Sequence, residues 1–431
     1  MQNNVNENLM RFLRACPSVF HAVAELKRDL RENGFTQLEE SEPWALKPGG
    51  KYFVSRNNSA LISFILPTAE PDCFHIIASH SDSPSFKVKP GPAIPAEGGL
   101  LKLNVEKYGG AIESSWFDRP LSLAGRVLLD LGDRLEERLV SFDRDLLMIP
   151  SLAIHFTRGS GEAGKPVNVQ TDMLPVLGSG EDRQLLWKML ADGLSVRPEQ
   201  ILSADLFLYN RAAPTLWGAE REFLSAPKLD DLECCFCSFL GFLAAAPAAA
   251  GYIPMHCVFD NEEVGSKTLQ GADSTFLSDT LARICPEPET LRRMTAKSFL
   301  ISADNAHAVH PNYAQMSDPV NRPALNRGIV LKYQAGQRYA TDAVSAAVLK
   351  KICLEHDIPF QEFTNRSDLA GGSTLGNLSV AHVPLRTADI GLPQLAMHSC
   401  FETAGAADPE ALVRLSKAFY GEALPTVCSA G

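Results

Sequence analysis

The chain opens with two stretches of helical period. Leu9, Phe12 and Leu13 repeat at one face's spacing and Val23, Leu26 and Leu30 at another's, with Pro17 between the runs and Gly34 after them. The spacing predicts two helices over residues 5–35. Strand-like apolar runs follow at 51–54, 60–66 and 73–78. From about 91 to 226 the texture changes. Short β-like runs at 100–105, 121–131 and 135–140 are separated by Gly and Asp, a glycine-containing polar loop spans 157–169, and only 183–194 has a clear helical pattern. After Pro227 come a buried-helix pattern over 232–246, a strand at 255–259, a helix at 275–284 and a strand at 299–302. A helix over 343–356, a strand near Phe360 and a last helix over 409–420 complete the chain. This alternation predicts an α/β fold with a mixed, largely parallel sheet and flanking helices. The expected layout is a discontinuous α/β domain, 1–90 with 228–431, interrupted by a β-rich insertion over 91–227.

Composition narrows the classes. The 431 residues are 45% hydrophobic and 21% charged, which suits a large core and argues against global disorder. Asp plus Glu number 51 against 40 Lys plus Arg, a net charge of -11, so neither a nucleic-acid-binding face nor a polybasic membrane anchor is expected. The longest apolar stretch, 236–250, contains Ser, Gly and Pro and is too short to span a bilayer. The first residues lack the charged start and apolar block of a secretory signal. The ten cysteines are scattered, and free thiols in a cytoplasmic protein are the expectation.

Five segments place metal-ligand side chains beside a predicted strand or helix end, where open α/β sheets collect their ligands. An apolar strand runs into His80-Ser81-Asp82, and Asp82 can orient the imidazole of His80. Asp230-Asp231 opens a helix and by itself reads as a cap. A strand ends in Asp260-Asn261-Glu262-Glu263-Val264-Gly265-Ser266, so one Glu can face a metal while its neighbour faces the substrate side. Asp304 ends another strand and is followed by His307 and His310, and a buried-looking run delivers His398. Singly, each has an ordinary structural reading. Together, His80, Asp230, Glu263, Asp304 and His398 form a mixed N/O set that suits zinc, and also manganese or cobalt. A co-catalytic pair lies roughly 3.5–4 Å apart and needs a shared ligand. One bridging Asp, with one His and one carboxylate on each side, uses all five residues. Glu262 is left over and can take the proton of the attacking water.

These motifs resemble the aspartyl aminopeptidases, the M18 metallopeptidases, and the likeness runs nearly end to end. It includes Ser115-Trp116-Phe117-Asp118-Arg119-Pro120, Ile149-Pro150-Ser151-Leu152-Ala153-Ile154-His155, Gln337-Arg338-Tyr339-Ala340 and Gly372-Ser373-Thr374-Leu375-Gly376. The opening Cys16-Pro17 departs from the family's Ser-Pro, a difference of packing. The resemblance implies a zinc aminopeptidase-like fold with an inserted β-rich dimerisation domain. It implies two divalent metal ions per subunit, one held by His80, Asp230 and Asp304 and the other by Asp230, Glu263 and His398. Glu262 would be the general base and Asp82 the residue orienting His80. The implied substrates are peptides with an unblocked N-terminal Asp or Glu, and the implied assembly is a homo-dodecamer built from dimers. His155 matches a position that reaches a neighbouring subunit's site. Lys332 matches the residue that meets the acidic side chain, with Tyr339 and His310 nearby.

Other readings stay open at this point. The metal set also suits another two-metal amidohydrolase, such as a deacylase or a broad leucine-type aminopeptidase, or a non-catalytic assembly protein on the same scaffold. Cys234 and Cys237 form a C-x-x-C without a second pair, inside a helical pattern that favours packing. The glycines of 371–376 lack the Lys-Ser/Thr ending of a phosphate loop.

Overall fold

A computed structural model gives the fold of residues 2–158, 166–245, 251–372 and 374–425. Most of the glycine-containing loop expected over 157–169, and Ser373 of the 371–376 stretch, lie outside the described residues. The first two helices, Gln2–Ala15 and Val19–Glu32, stand where the apolar period puts them, broken at Cys16-Pro17. The strands in chain order are β1 (Thr36–Leu38), β2 (Lys51–Arg56), β3 (Ala60–Ile65), β4 (Cys73–His80), β5 (Ser85–Ala96), β6 (Leu100–Tyr108), β7 (Leu121–Asp130), β8 (Leu135–Ser141), β9 (Val176–Ser179) and β10 (Ile201–Asn210). They continue as β11 (Thr215–Trp217), β12 (Phe223–Ala226), β13 (Tyr252–Phe259), β14 (Phe299–Ala303), β15 (Ala306–His307), β16 (Ile329–Tyr333), β17 (Phe360–Thr364), β18 (Arg386–Gly391), β19 (Pro393–Leu395) and β20 (Glu402–Gly405).

Nine strands form the main sheet in the order β1-β2-β3-β13-β4-β14-β18-β16-β17. Its pairings are mixed but largely parallel. β4 pairs parallel with both β13 and β14, and β14 with β18, while β3 and β16 run against their inner neighbours. Every residue of β13 is buried, as a strand covered on both faces requires. On one face lie the two N-terminal helices with Leu229–Leu243, Ala343–Glu355 and Asp408–Gly421, joined in one apolar cluster through Leu26, Phe236, Leu349 and Phe419. Helices Phe276–Ile284 and Pro288–Lys297 cover the other face through Phe276, Leu281 and Met294. Helix Leu229–Leu243 starts three residues before the expected 232 and packs so closely on Asp408–Gly421 that a β-carbon at Gly241 would collide with Ser416.

A six-stranded antiparallel sheet, β8-β7-β10-β5-β6-β9, stands between β4 and the small sheet in sequence and has its own core around Trp116, Leu123, Leu186 and Leu206. Its strands run from Ser85 to Asn210. A third sheet, β11-β12-β20-β19-β15, joins the chain after this region to the C-terminal part, with Ala226 opposite Glu402. That pairing sets Asp230 beside the turn that carries His398.

Candidate metal centre

Three neighbouring parallel strands build the centre. β4 ends at His80, in register with Phe259 at the end of β13. β13 then leads into residues 260–263, and β14 leads into Asp304. The site therefore lies outside the carboxyl ends of adjacent parallel strands, where the chain leaves the sheet and side chains can converge. Asp230 comes from the first turn of helix Leu229–Leu243, and His398, at a left-handed φ of 68°, from the turn between β19 and β20.

These five side chains meet. His80 Nε2 lies 3.4 Å from Asp230 Oδ1 and 3.9 Å from Asp304 Oδ1. His398 Nε2 lies 3.5 Å from Asp230 Oδ2 and 3.4 Å from Glu263 Oε2. Asp230 thus turns one oxygen to each group. Asp231 joins the first group, and Glu262 stands with His80 and Glu263. His80 Nε2, Asp230 Oδ1 and Glu263 Oε1 are buried without a hydrogen-bond partner. A tetrahedral ion with bonds near 2.1 Å spaces its ligand atoms about 3.4 Å apart. Three of the four spacings, 3.4, 3.5 and 3.4 Å, match that value, and His80 to Asp304 is longer at 3.9 Å. The donor set fits a metal.

The charge balance points the same way. Asp82, Asp230, Asp231, Glu262, Glu263 and Asp304 crowd one region, and the Lys332 ammonium reaches it, 3.8 Å from Asp304 Oδ2. Burial, with Asp304, Asp82 and Asp230 nearby, pushes Glu262 up to about 8 although His80 opposes the shift. Glu263 is raised well above its ordinary value by burial and Asp230. Asp304 is also raised by burial, against the pull of Lys332. Carboxylates held this way take up protons unless cations sit among them, because burying like charges together is costly.

The remaining expected residues are placed as follows. His80 Nδ1 hydrogen-bonds the backbone carbonyl of Asp82 at 3.1 Å, with the Asp82 carboxylate 3.3 Å away. Lys332 is 3% exposed and donates to the Asn305 carbonyl at 2.9 Å. Burial opposes its charge, but Asp304, with Tyr339 and Asp389, raises its pKa overall. The Tyr339 ring is buried 5.6 Å from the Lys332 ammonium. His310 sits farther along the chain against Tyr313, its Nδ1 accepting from Asn312 N. His155 is exposed on the short helix Ile154–Thr157, outside the cluster, and Leu152, Ile154 and Phe156 are exposed beside it.

The family model described as Aminopeptidase I zinc metalloprotease (M18) matches residues 12–420. The chain belongs to the M18 family. It is a metallo-aminopeptidase, a hydrolase. A relative from Clostridium novyi, named Probable M18 family aminopeptidase 2, is 42% identical over 435 residues, covering 97% of this chain and 100% of that protein. Among solved structures, a chain of the cryo-EM structure of the Ape4 and Nbr1 complex superposes with a TM-score of 0.94 at 36% identity, covering 97% of this chain and 86% of that one. A chain of the S. cerevisiae mApe1 dodecamer superposes with a TM-score of 0.85 at 25% identity, covering 97% and 96%.

This M18 chain also places around the cluster residues that the sequence reading did not single out. Asp231 Oδ2 accepts from the backbone N–H of His80 at 3.1 Å. Glu402 accepts from the N–H of His398 at 2.7 Å and of Asp230 at 3.1 Å, tying two ligands to one buried carboxylate. Tyr108 donates to Asp82 Oδ2 at 2.6 Å, and the Gly110 carbonyl accepts from His398 Nδ1 at 3.1 Å. Glu402 follows His398 by four residues, the one local signal for it. Gly110 is 288 residues from His398 and Tyr108 is 26 from Asp82, and only the Tyr-Gly-Gly at a strand end marks them.

Proposed function

We propose that the chain removes unblocked N-terminal Asp or Glu from peptides at a two-metal centre. The observation that carries the two-metal part is Asp230, whose two oxygens face two separate His-and-carboxylate groups. His80, Asp230 and Asp304 would hold one ion, and Asp230, Glu263 and His398 the other, with zinc the first choice and manganese or cobalt compatible with the same donors. Bound there, the ions supply Lewis acidity for the scissile carbonyl and lower the pKa of a water. Glu262 takes the proton of the attacking water and returns it to the departing amine. Asp82 fixes the tautomer of His80, because a carbonyl that only accepts leaves Nε2 unprotonated toward the ion.

The acidic preference rests on Lys332. An ammonium has three donors, and here one is given to the Asn305 carbonyl while the Asp304 carboxylate lies beyond hydrogen-bond length. A donor remains for a substrate carboxylate arriving past Tyr339, and His310 is proposed to line the outer side. Several exposed apolar side chains flank His155, which supports a contact between copies that carries His155 to a neighbouring site. The S. cerevisiae relative's dodecamer supports the same assembly, built from dimers through the inserted sheet, for this chain. The domain division 1–90 with 228–431 around 91–227 remains the proposed frame for that contact. No helix among the described residues is long and apolar enough to cross a membrane. The nine described cysteines are free thiols, which fits the proposed cytoplasmic location.

The test is hydrolysis of peptides beginning with Asp, Glu and Leu, before chelation, after it and after restoring zinc, manganese or cobalt. Chelation-sensitive cleavage that favours Asp and Glu is expected. A preference for Leu would leave the metal centre standing and overturn the substrate class.

A further inference from the structure

The inserted sheet meets the metal centre of its own chain at a short strap. β6 ends at Tyr108, and Gly109, Gly110 and Ile112 follow. The Tyr108 hydroxyl donates to Asp82 Oδ2 at 2.6 Å and accepts from Asn261 Nδ2 at 2.8 Å. The same Asp82 carboxylate accepts from the backbone N–H of Glu262 at 3.1 Å and of Glu263 at 3.2 Å. One hydroxyl from the inserted sheet therefore fixes the carboxylate on which the Glu262-Glu263 turn hangs, with His80 alongside. A neutral donor on a carboxylate at this length is a strong, charge-assisted bond.

Two residues on, the strap meets the second group of ligands. The Gly110 carbonyl takes the Nδ1 proton of His398, and Ile112 N donates to the His398 carbonyl at 3.0 Å. A carbonyl can only accept, so it selects the tautomer that leaves Nε2 free for an ion. The path is tight for any side chain. A β-carbon at Gly110 would sit 3.1 Å from His398 Nδ1, and one at Gly109, where φ is +72°, would sit 3.0 Å from Glu263 Cβ.

We propose that the strap 108–112 is a positioning element for metal binding. Tyr108 sets Asp82, and through it the Glu262-Glu263 turn and His80; Gly110 sets the imidazole of His398. The inserted sheet thereby has a role at the centre of its own subunit, independent of any contact between copies. The proposal rests on the two-metal reading above.

The experiment measures stepwise zinc affinity by chelator competition, and the visible spectrum of the cobalt-loaded protein, for the full-length parent chain, Tyr108→Phe and Gly110→Ala. Phenylalanine keeps the edge contact that Tyr108 makes with Phe207, at 5.5 Å between ring centres. Partners of metal ligands commonly change affinity tenfold to a hundredfold when removed. Gly110→Ala is expected to weaken one of the two zinc equivalents by about that factor and to shift the cobalt bands, leaving the other equivalent unchanged. Tyr108→Phe is expected to weaken zinc binding by about tenfold or more, with apo-protein melting close to the parent's. If both variants bind two zinc ions within a factor of about two of the parent, the positioning role is overturned. If the parent itself binds fewer than two, the two-metal reading fails instead. Should Gly110→Ala not fold, Tyr108→Phe decides alone.

Discussion

Glu262 and Glu263 are neighbours with different neighbours. Glu263 shares His398 with Asp230, whereas Glu262 stands on the His80 side with its carboxyl pushed up to about 8 by burial and three nearby acids. Glu262 stands with His80 and Glu263 without being one of the five proposed ligands, so as the proposed base it should matter to turnover and little to metal content. Glu262→Gln is expected to lower kcat by about 10²–10⁴-fold with metal content unchanged by elemental analysis. Near-normal rates would remove Glu262 from the base role. For Lys332, replacement by Met should lower kcat/KM for Asp and Glu peptides more than for Leu peptides. Equal losses would make Lys332 only a counter-charge for Asp304. The five proposed ligands were readable because His80, Glu263 and Asp304 stand at or just past strand ends, Asp230 opens a helix and His398 follows a buried-looking run, each with a residue type that metals take. Asp231, read only as a cap, and Glu402, Tyr108 and Gly110 were not, because each acts through a hydrogen bond to a ligand or its neighbour, and for Asp231 and Gly110 the partner lies more than a hundred residues away.

At the scale of elements, apolar runs located β2, β3, β4, β13 and β14 well, since these strands are buried and carry few turn residues. β5 was harder. Pro90, Pro92 and Pro95 break the strand signal, yet the structure keeps the strand through Ala96. Its one pairing with β10 is at Lys87, its ladder with β6 shifts register between Val88 and Ala93, and the proline-bearing half has β6 as its partner. A proline that faces an unpaired side removes no ladder bond. Helix Leu229–Leu243 is tied to β13 by a buried polar contact, His256 Nε2 to Ser238 Oγ at 2.9 Å, between Phe239 and Phe242. Burial lowers the His256 pKa to about 3. The folded pKa lies below the unfolded one, so the unfolded chain binds the proton first as pH falls below about 6.5. Stability is then lost from about pH 6.5 downward, and His256 contributes roughly 2 kcal/mol of loss between pH 7 and 5. His256→Phe should show a pH-induced drop in unfolding free energy smaller by about that amount. The same drop in both proteins would show that His256 titrates normally in the fold.

Over the whole molecule, the α/β class with a largely parallel sheet followed from the alternation of helical and strand periods, and the chain's M18 membership agrees with the motifs. The proposed contact between copies centres on Ile154–Thr157, where Leu152, Ile154 and Phe156 are 60% exposed or more. Exposed apolar side chains in a run mark a contact surface. Phe156→Asp is expected to lower the native mass by light scattering while the circular dichroism spectrum stays the same. An unchanged mass would place the contact between copies elsewhere. Asp230 is proposed to join two metal positions. The direct measurement is an anomalous difference map at the zinc edge from zinc-loaded crystals. Two peaks roughly 3.5–4 Å apart, one on each side of Asp230, are predicted. A single peak, or two peaks that do not share Asp230, would contradict the account.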